Sequence, residues 1–222
     1  MTISCERVPL TIGTSEAGGA DLRSVDTHVL YLFDLVGEGV AAATAAFLEG
    51  NGDAGRVIAA NDQQVDDLQI RIEDLVCQEL TVRRLVDHDE LRHLLLVLQI
   101  VPELERSGDL VEHIALRAAQ GLAREISPRC RGLIERMGHI ATEMWGLAAD
   151  AYRDADLTAA ARLRWRDDEL DDLHVTLTTE LATVPMPVPV AIEMGLVARF
   201  FERLGDHAVN VTRRLAMLSP TP

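Results

Sequence analysis

The chain has 222 residues, 48% of them apolar and only 4% aromatic, with a formal net charge of −15 and a pI near 4.8. So acidic a surface repels a phosphate backbone and an anionic lipid face, which argues against nucleic acid and membrane as partners and favours basic proteins or cations. Ala and Leu dominate the apolar set, which suits close-packed helices better than sheets. Cys5, Cys77 and Cys130 are scattered without CxxC spacing and fit a reducing cytoplasm. No basic stretch followed by an apolar run opens the chain, so no signal peptide is expected. The unbroken apolar runs, Val29 to Phe33 and Leu94 to Leu98, are far too short to span a bilayer.

Residues 1–23 mix Gly, Ser, Thr and Pro without a helical period and read as a loose leader. Apolar residues then recur at three- and four-residue spacing. A first helix is expected over 24–48, a core element despite Asp34, Gly37, Glu38 and Gly39, ending at Gly50-Asn51-Gly52. A second is expected over 53–86 and a third over 89–125, with Pro102 inside the third removing one backbone donor. Ser127-Pro128 is an N-cap with proline at the first helical position, opening a fourth helix that runs to 153. A fifth spans 157–183. Pro185, Pro187 and Pro189 make a stiff link, and a sixth covers 190–217. No strand pattern is evident.

Two motifs recur in the same order. Asp62-Gln63-Gln64-Val65-Asp66-Asp67-Leu68 matches Asp167-Asp168-Glu169-Leu170-Asp171-Asp172-Leu173, 105 residues later. Leu104-Glu105-Arg106-Ser107-Gly108-Asp109 matches Phe201-Glu202-Arg203-Leu204-Gly205-Asp206, 97 residues later. The expected fold is all-α: a tandem duplication of a three-helix bundle, six long helices in all. The first unit covers 24–126 and the second 127–219.

Each half carries two acid pairs at spacing four: Asp62/Asp66 and Glu105/Asp109, then Asp167/Asp171 and Glu202/Asp206. That spacing puts both members on one helix face, about 5–6 Å apart at Cβ, where like charges repel. Two such helices facing each other present four carboxylates, which need a counter-charge or must stay protonated. A hard cation with oxygen ligands answers that need: iron, Mn, Mg or Ca. A single acid pair in a chain with 26% charged residues is ordinary solvated surface; recurrence at equivalent places in both halves is what lifts these above it. Gly108 and Gly205 each cost about 1 kcal/mol relative to alanine inside a helix and point to close backbone approach, with or without a metal. His113, one turn after Gly108-Asp109, is a weaker ligand candidate. His207 follows Asp206 and points about 100° away.

At these residues the chain resembles the PhoU family. Phe201-Glu202-Arg203-Leu204-Gly205-Asp206-His207-Ala208-Val209-Asn210-Val211 follows that family's third-helix pattern almost position for position. Leu104 to Ile114 follows it more loosely, with Ser107 where the family favours a branched aliphatic residue and His113 where it favours Asn. Met137-Gly138 resembles the pair that opens a family repeat, whereas Thr81 to His88 replaces the family's usual turn. The resemblance implies a cytoplasmic, non-enzymatic negative regulator of phosphate uptake and phosphate-responsive signalling. It would bind metal through the eight acids. Its partners would be a sensor histidine kinase and the ATPase subunit of a phosphate transporter, with a homodimer also open. The alternatives are a ferritin-like di-metal carboxylate oxidase, for which Glu90-x-x-His93 and Asp171-x-x-His174 are partial matches, and a metal-free helical scaffold or regulatory paralogue. No Ser–His–Asp arrangement, Walker loop or dinucleotide fingerprint is present.

Overall fold

The computed structural model describes residues 22–82 and 87–217. The expected leader, up to residue 21, lies outside them, as do 83–86, where the second helix and the turn after it were expected, and 218–222. Seven α-helices form among the described residues, with no strand: α1 (Leu22–Glu49), α2 (Gly52–Ala60), α3 (Asp62–Val82), α4 (His88–Ala118), α5 (Pro128–Asp154), α6 (Ala159–Thr183) and α7 (Val188–Ala216).

The all-α duplicated plan holds, with one element divided. The single helix expected over 53–86 is split at Asn61 into α2 and α3. The cause is packing. Asn51 caps α2, its side chain accepting from the Ala54 amide at 3.1 Å. Gly55 then lies so close to α4 that a Cβ would run into the Ala115 carbonyl. A helix pinned there by its first turns has to change course before running along α4 as α3. The third helix also ends earlier than expected, at Ala118, and a 3-10 turn at Leu122–Arg124 follows the left-handed Gly121 (φ 69°). Further on, the expected cap forms: Ser127 Oγ accepts from the Cys130 amide at 3.1 Å, and Pro128 is the first residue of α5.

The helices form two layers. α1 and α5 lie side by side, and the second layer runs α3, α4, α7, α6 in spatial order. α1 covers α3 and α4, whereas α5 covers α7 and α6. By length and composition α1 could cross a membrane. Here it supplies core residues instead: Val25, Val29, Leu32, Phe33, Val36, Val40 and Phe47 are all buried. Phe33 packs between Trp145 and Tyr152 of α5, with ring centroids 6.1 and 5.7 Å away. Such pairs contribute about 0.5–1.5 kcal/mol beyond their burial.

The two repeats meet along α4 and α7, which run antiparallel. Glu103 is 4% exposed and takes two partners from the other repeat. His207 Nδ1 donates to it at 2.6 Å and Arg214 Nη2 at 2.9 Å. Burial raises the Glu103 pKa, but those two partners outweigh it and hold the carboxyl below its ordinary value. The repeat-related arginine, Arg117, reaches the position equivalent to Glu103: it stacks on Phe200, 4.9 Å from the ring centroid, and pairs with Glu193 at 2.7 Å. Each third helix thus ends in an arginine that grips the third helix of the other repeat. Replacing Glu103 by Leu strands His207 and Arg214 without their acceptor. The expected cost is about 2–4 kcal/mol, read as a lower urea midpoint with an unchanged slope.

Candidate metal centres

Asp62 is the first residue of α3 and Asp66 stands one turn on; Glu105 and Asp109 face them from α4. Gly108 sets the separation. A Cβ there would lie 2.9 Å from Val65 Cγ1 and 3.1 Å from Asp62 Oδ1. In the second repeat a Cβ on Gly205 would lie 2.8 Å from both Asp167 Oδ1 and Leu170 Cδ2. The glycine of each Glu-Arg-x-Gly-Asp motif is therefore a notch into which the neighbouring helix presses an aspartate.

The carboxylates crowd as the ladders suggest. Asp62 is pushed up to about 6, by burial first and then by the charges of Glu112, Asp109, Asp66 and Glu105. Asp167 is pushed up to about 7, by burial first and then by Asp171, Asp206, Asp168 and Glu202. Glu105, Asp171 and Glu202 are raised too, again chiefly by burial, with their acidic neighbours adding to it. All eight acids therefore fall into two groups of four, one at α3/α4 and one at α6/α7, on the two flanks of the α4/α7 contact.

Protein cations serve the two groups unequally. Among the described residues, Asp62, Asp66, Glu105 and Asp109 make no ion pair, although Arg106 eases Glu105 from a distance. In the second group Arg199 pairs with Glu202, and His174 lowers Asp171 and Glu202. Asp62 Oδ1 and Glu202 Oε2 are buried with no hydrogen-bond partner, each a cost of about 1–3 kcal/mol. Among the described residues no three His, Cys, Asp or Glu side chains stand close enough together to hold an ion as placed. The fit to a hard cation rests instead on the orphaned oxygens, the glycine notches and an all-carboxylate donor set.

Several neighbours escaped the sequence pattern. Glu112 is the second influence on Asp62 after burial, yet it occupies a variable position of the motif. Arg199 stands three residues before Glu202, a spacing that pairs opposite charges on a helix. His113 packs on Phe200, 5.4 Å between centroids, with its Nδ1 3.9 Å from Glu112 Oε2. His207 lies outside the cluster, as its position on the helix implies, and binds Glu103. His93, from the ferritin-like match, belongs to another group: its Nε2 donates to Asp26 Oδ1 at 2.8 Å, and Tyr152 Oη donates to the same oxygen at 2.6 Å.

The chain matches the model of the PhoU domain twice, over residues 29–118 and 134–215. It is 30% identical over 206 residues to a phosphate-specific transport system accessory protein PhoU homolog of Caulobacter vibrioides, covering 91% of this chain and 89% of the relative. It is also 30% identical over 184 residues to PhoU homolog 2 of Mycobacterium tuberculosis, covering 82% and 86%. The crystal structure of PhoU from Pseudomonas aeruginosa superposes with a TM-score of 0.82 at 27% identity, over 89% of this chain and 96% of that one. The phosphate transport system regulatory protein PhoU from Streptococcus pneumoniae shares the fold, with a TM-score of 0.78 at 20% identity over 89% and 94%.

The raised carboxyls have a signed consequence. Asp62 and Asp167 hold protons in the folded chain up to about 6 and about 7, against 3.8 for an ordinary aspartate. The folded state thus binds more protons than the unfolded one across that window, and stability falls as pH rises through it. Chelator-treated protein is expected to melt at a higher temperature at pH 5 than at pH 8. Asp167→Asn keeps the shape and removes the charge. Allowing for solvent screening, it is expected to add about 1 kcal/mol at pH 8, or about 2–4 °C, and to flatten the pH profile. Calorimetry across the range checks both.

Proposed function

The chain belongs to the PhoU family, and on that premise we propose that it is a cytoplasmic, non-enzymatic regulator of phosphate uptake, acting as a metal-binding adaptor between a phosphate transporter and a sensor kinase. The relatives in Caulobacter and Mycobacterium are named as accessory proteins of phosphate-specific transport systems, which supports the transporter side. The observation that supports the metal side is the pair of repeat-related carboxylate groups, one of which makes no ion pair among the described residues.

In this proposal Asp62, Asp66, Glu105 and Asp109 hold one hard cation site, and Asp167, Asp171, Glu202 and Asp206 the other. The bound ion supplies positive charge where acidic rods converge. The remaining work is done by the chain itself. Gly108 and Gly205 let the helices approach, and the Glu103, His207 and Arg214 contact fixes one repeat against the other. The flanks of the α4/α7 layer then offer a partner a surface of defined charge. Regulation comes from conditional contact: with phosphate plentiful, the adaptor keeps the kinase in its silencing state. A metal-free helical scaffold would need no such acid groups.

Deleting the gene is expected to derepress phosphate-scavenging genes in phosphate-rich medium. The wild-type gene should restore silence, and normal silencing without it would refute the regulatory role. Purified without chelator, the chain carrying Glu202→Gln and Asp206→Asn should lose the metal of the second repeat. Unchanged stoichiometry by elemental analysis would refute the ligand assignment while leaving the regulatory role standing.

A further inference from the structure

The tip of the hairpin made by α6 and α7 differs in charge from the rest of the chain. Residues 175–198 hold two charged side chains, Glu180 and Glu193, in a chain that is 26% charged. Both are already matched: Arg129 pairs with Glu180 at 3.1 Å and Arg117 with Glu193 at 2.7 Å. The equivalent span of the first repeat, 70–101, carries ten charged residues. The neutral tip therefore belongs to the second repeat alone.

Within this span α7 is apolar on two sides. Val190, Met194, Val197 and Ala198 are buried against the core. Val188, Ile192 and Leu196 face solvent instead, 70%, 58% and 39% exposed, at a spacing of four that makes them one stripe. A helix apolar all round is stable when both sides are covered, and a contiguous exposed apolar patch marks an interaction site. The equivalent positions of α4 are Leu91, Leu95 and Gln99, with the charged Glu90 and Arg92 beside them. Gly195 stands at the edge of the stripe. A Cβ there would meet nothing within 4 Å, so no neighbour among the described residues accounts for a glycine in mid-helix. The first repeat has Leu98 at this place, packed against the core. A glycine beside an exposed apolar stripe lets another backbone come close.

Charge and symmetry identify the other backbone. Two copies of a chain with net charge −15 repel one another at an acidic face, and the neutral tip is where that repulsion is least. The stripe is also self-complementary. Turned about a two-fold axis through Ile192, Val188 of one copy meets Leu196 of the other, and Ile192 meets its own counterpart. We propose that the chain forms a two-fold dimer through the exposed face of α7 at residues 188–196, with Ile192 on the axis and Gly195 admitting the partner helix. Depletion of charge at the centre of a protein interface is the pattern such a contact requires. The contact needs neither metal nor phosphate, so it stands apart from the regulatory role proposed above.

Sedimentation of the full-length chain across a concentration series tests this. A reversible species of twice the 24.4 kDa chain mass is expected. It should tighten as salt rises, because screening weakens the net repulsion and no ion pair crosses the stripe. Ile192→Asp and Leu196→Asp, both at exposed positions, should each weaken dimerisation by about tenfold or more, since each buries a charge in the contact, with helical circular dichroism unchanged. Leu95→Asp, at the place in the first repeat equivalent to Ile192, should leave the dimer intact. Ile192→Lys should fail alone in the same way. An equimolar mixture of Ile192→Lys and Ile192→Asp chains should dimerise again, because residue 192 of each copy faces that of the other. A wild-type chain that stays monomeric throughout, which would give the stripe to a different protein, overturns the proposal. So does a dimer indifferent to Ile192→Asp, or a mixture that does not recover.

Discussion

Everything in this molecule is arranged around like charges pressed together. In each repeat an aspartate from the second helix is pushed into a glycine notch on the third, beside other carboxylates, and an oxygen in each group is left without a donor. Repulsion and lost hydration both work against such an arrangement, and part of the strain is relieved by proton uptake. The fold supports it because the third helices are held elsewhere. α4 and α7 are gripped by their mutual arginine contacts, and α1 and α5 bury the apolar side of the layer. The acid groups then lie on the two flanks of the α4/α7 contact, where the proposed cations would offset the repulsion.

Duplication explains why this happens twice and why the copies diverge. The equivalent arginines Arg117 and Arg214 keep one geometry with different chemistry, a stack on Phe200 in one case and an ion pair with Glu103 in the other. Equivalent positions around the acids diverge further. Gly39 against Met144, Asn61 against Arg166 and Glu112 against Val209 give the two acid groups different surroundings. The motif keeps the charge, and the residues around it set the internal counter-ions. Arg199 and His174 already offset part of the second group, whereas among the described residues Asp62, Asp66, Glu105 and Asp109 make no ion pair and Arg106 eases Glu105 only from a distance.

Much of this could be read from the sequence because it is periodic. Helix spacing, the Ser127-Pro128 cap and two repeated motifs suffice for the all-α duplication, and spacing four suffices to put each acid pair on one face. What escaped depends on contacts between helices. The break at Asn61 leaves no local signature, since Asn61 itself keeps helical angles (φ −75°, ψ −13°), and follows from Gly55 meeting the Ala115 carbonyl. Glu112 joins the first group because of which way α4 turns toward α3. His113, a plausible ligand by spacing, is drawn off by Phe200, a residue of the other repeat. His93 is claimed by Asp26, from the first helix, and shares that acceptor with Tyr152 of the other repeat.

The most direct measurement is anomalous diffraction from crystals of the Mn²⁺-loaded protein, with data on both sides of the manganese edge. Density is expected at two places, between Asp62/Asp66 and Glu105/Asp109 and between Asp167/Asp171 and Glu202/Asp206. Ions bound elsewhere on the surface, with those eight side chains turned apart into solvent, would contradict the central claim.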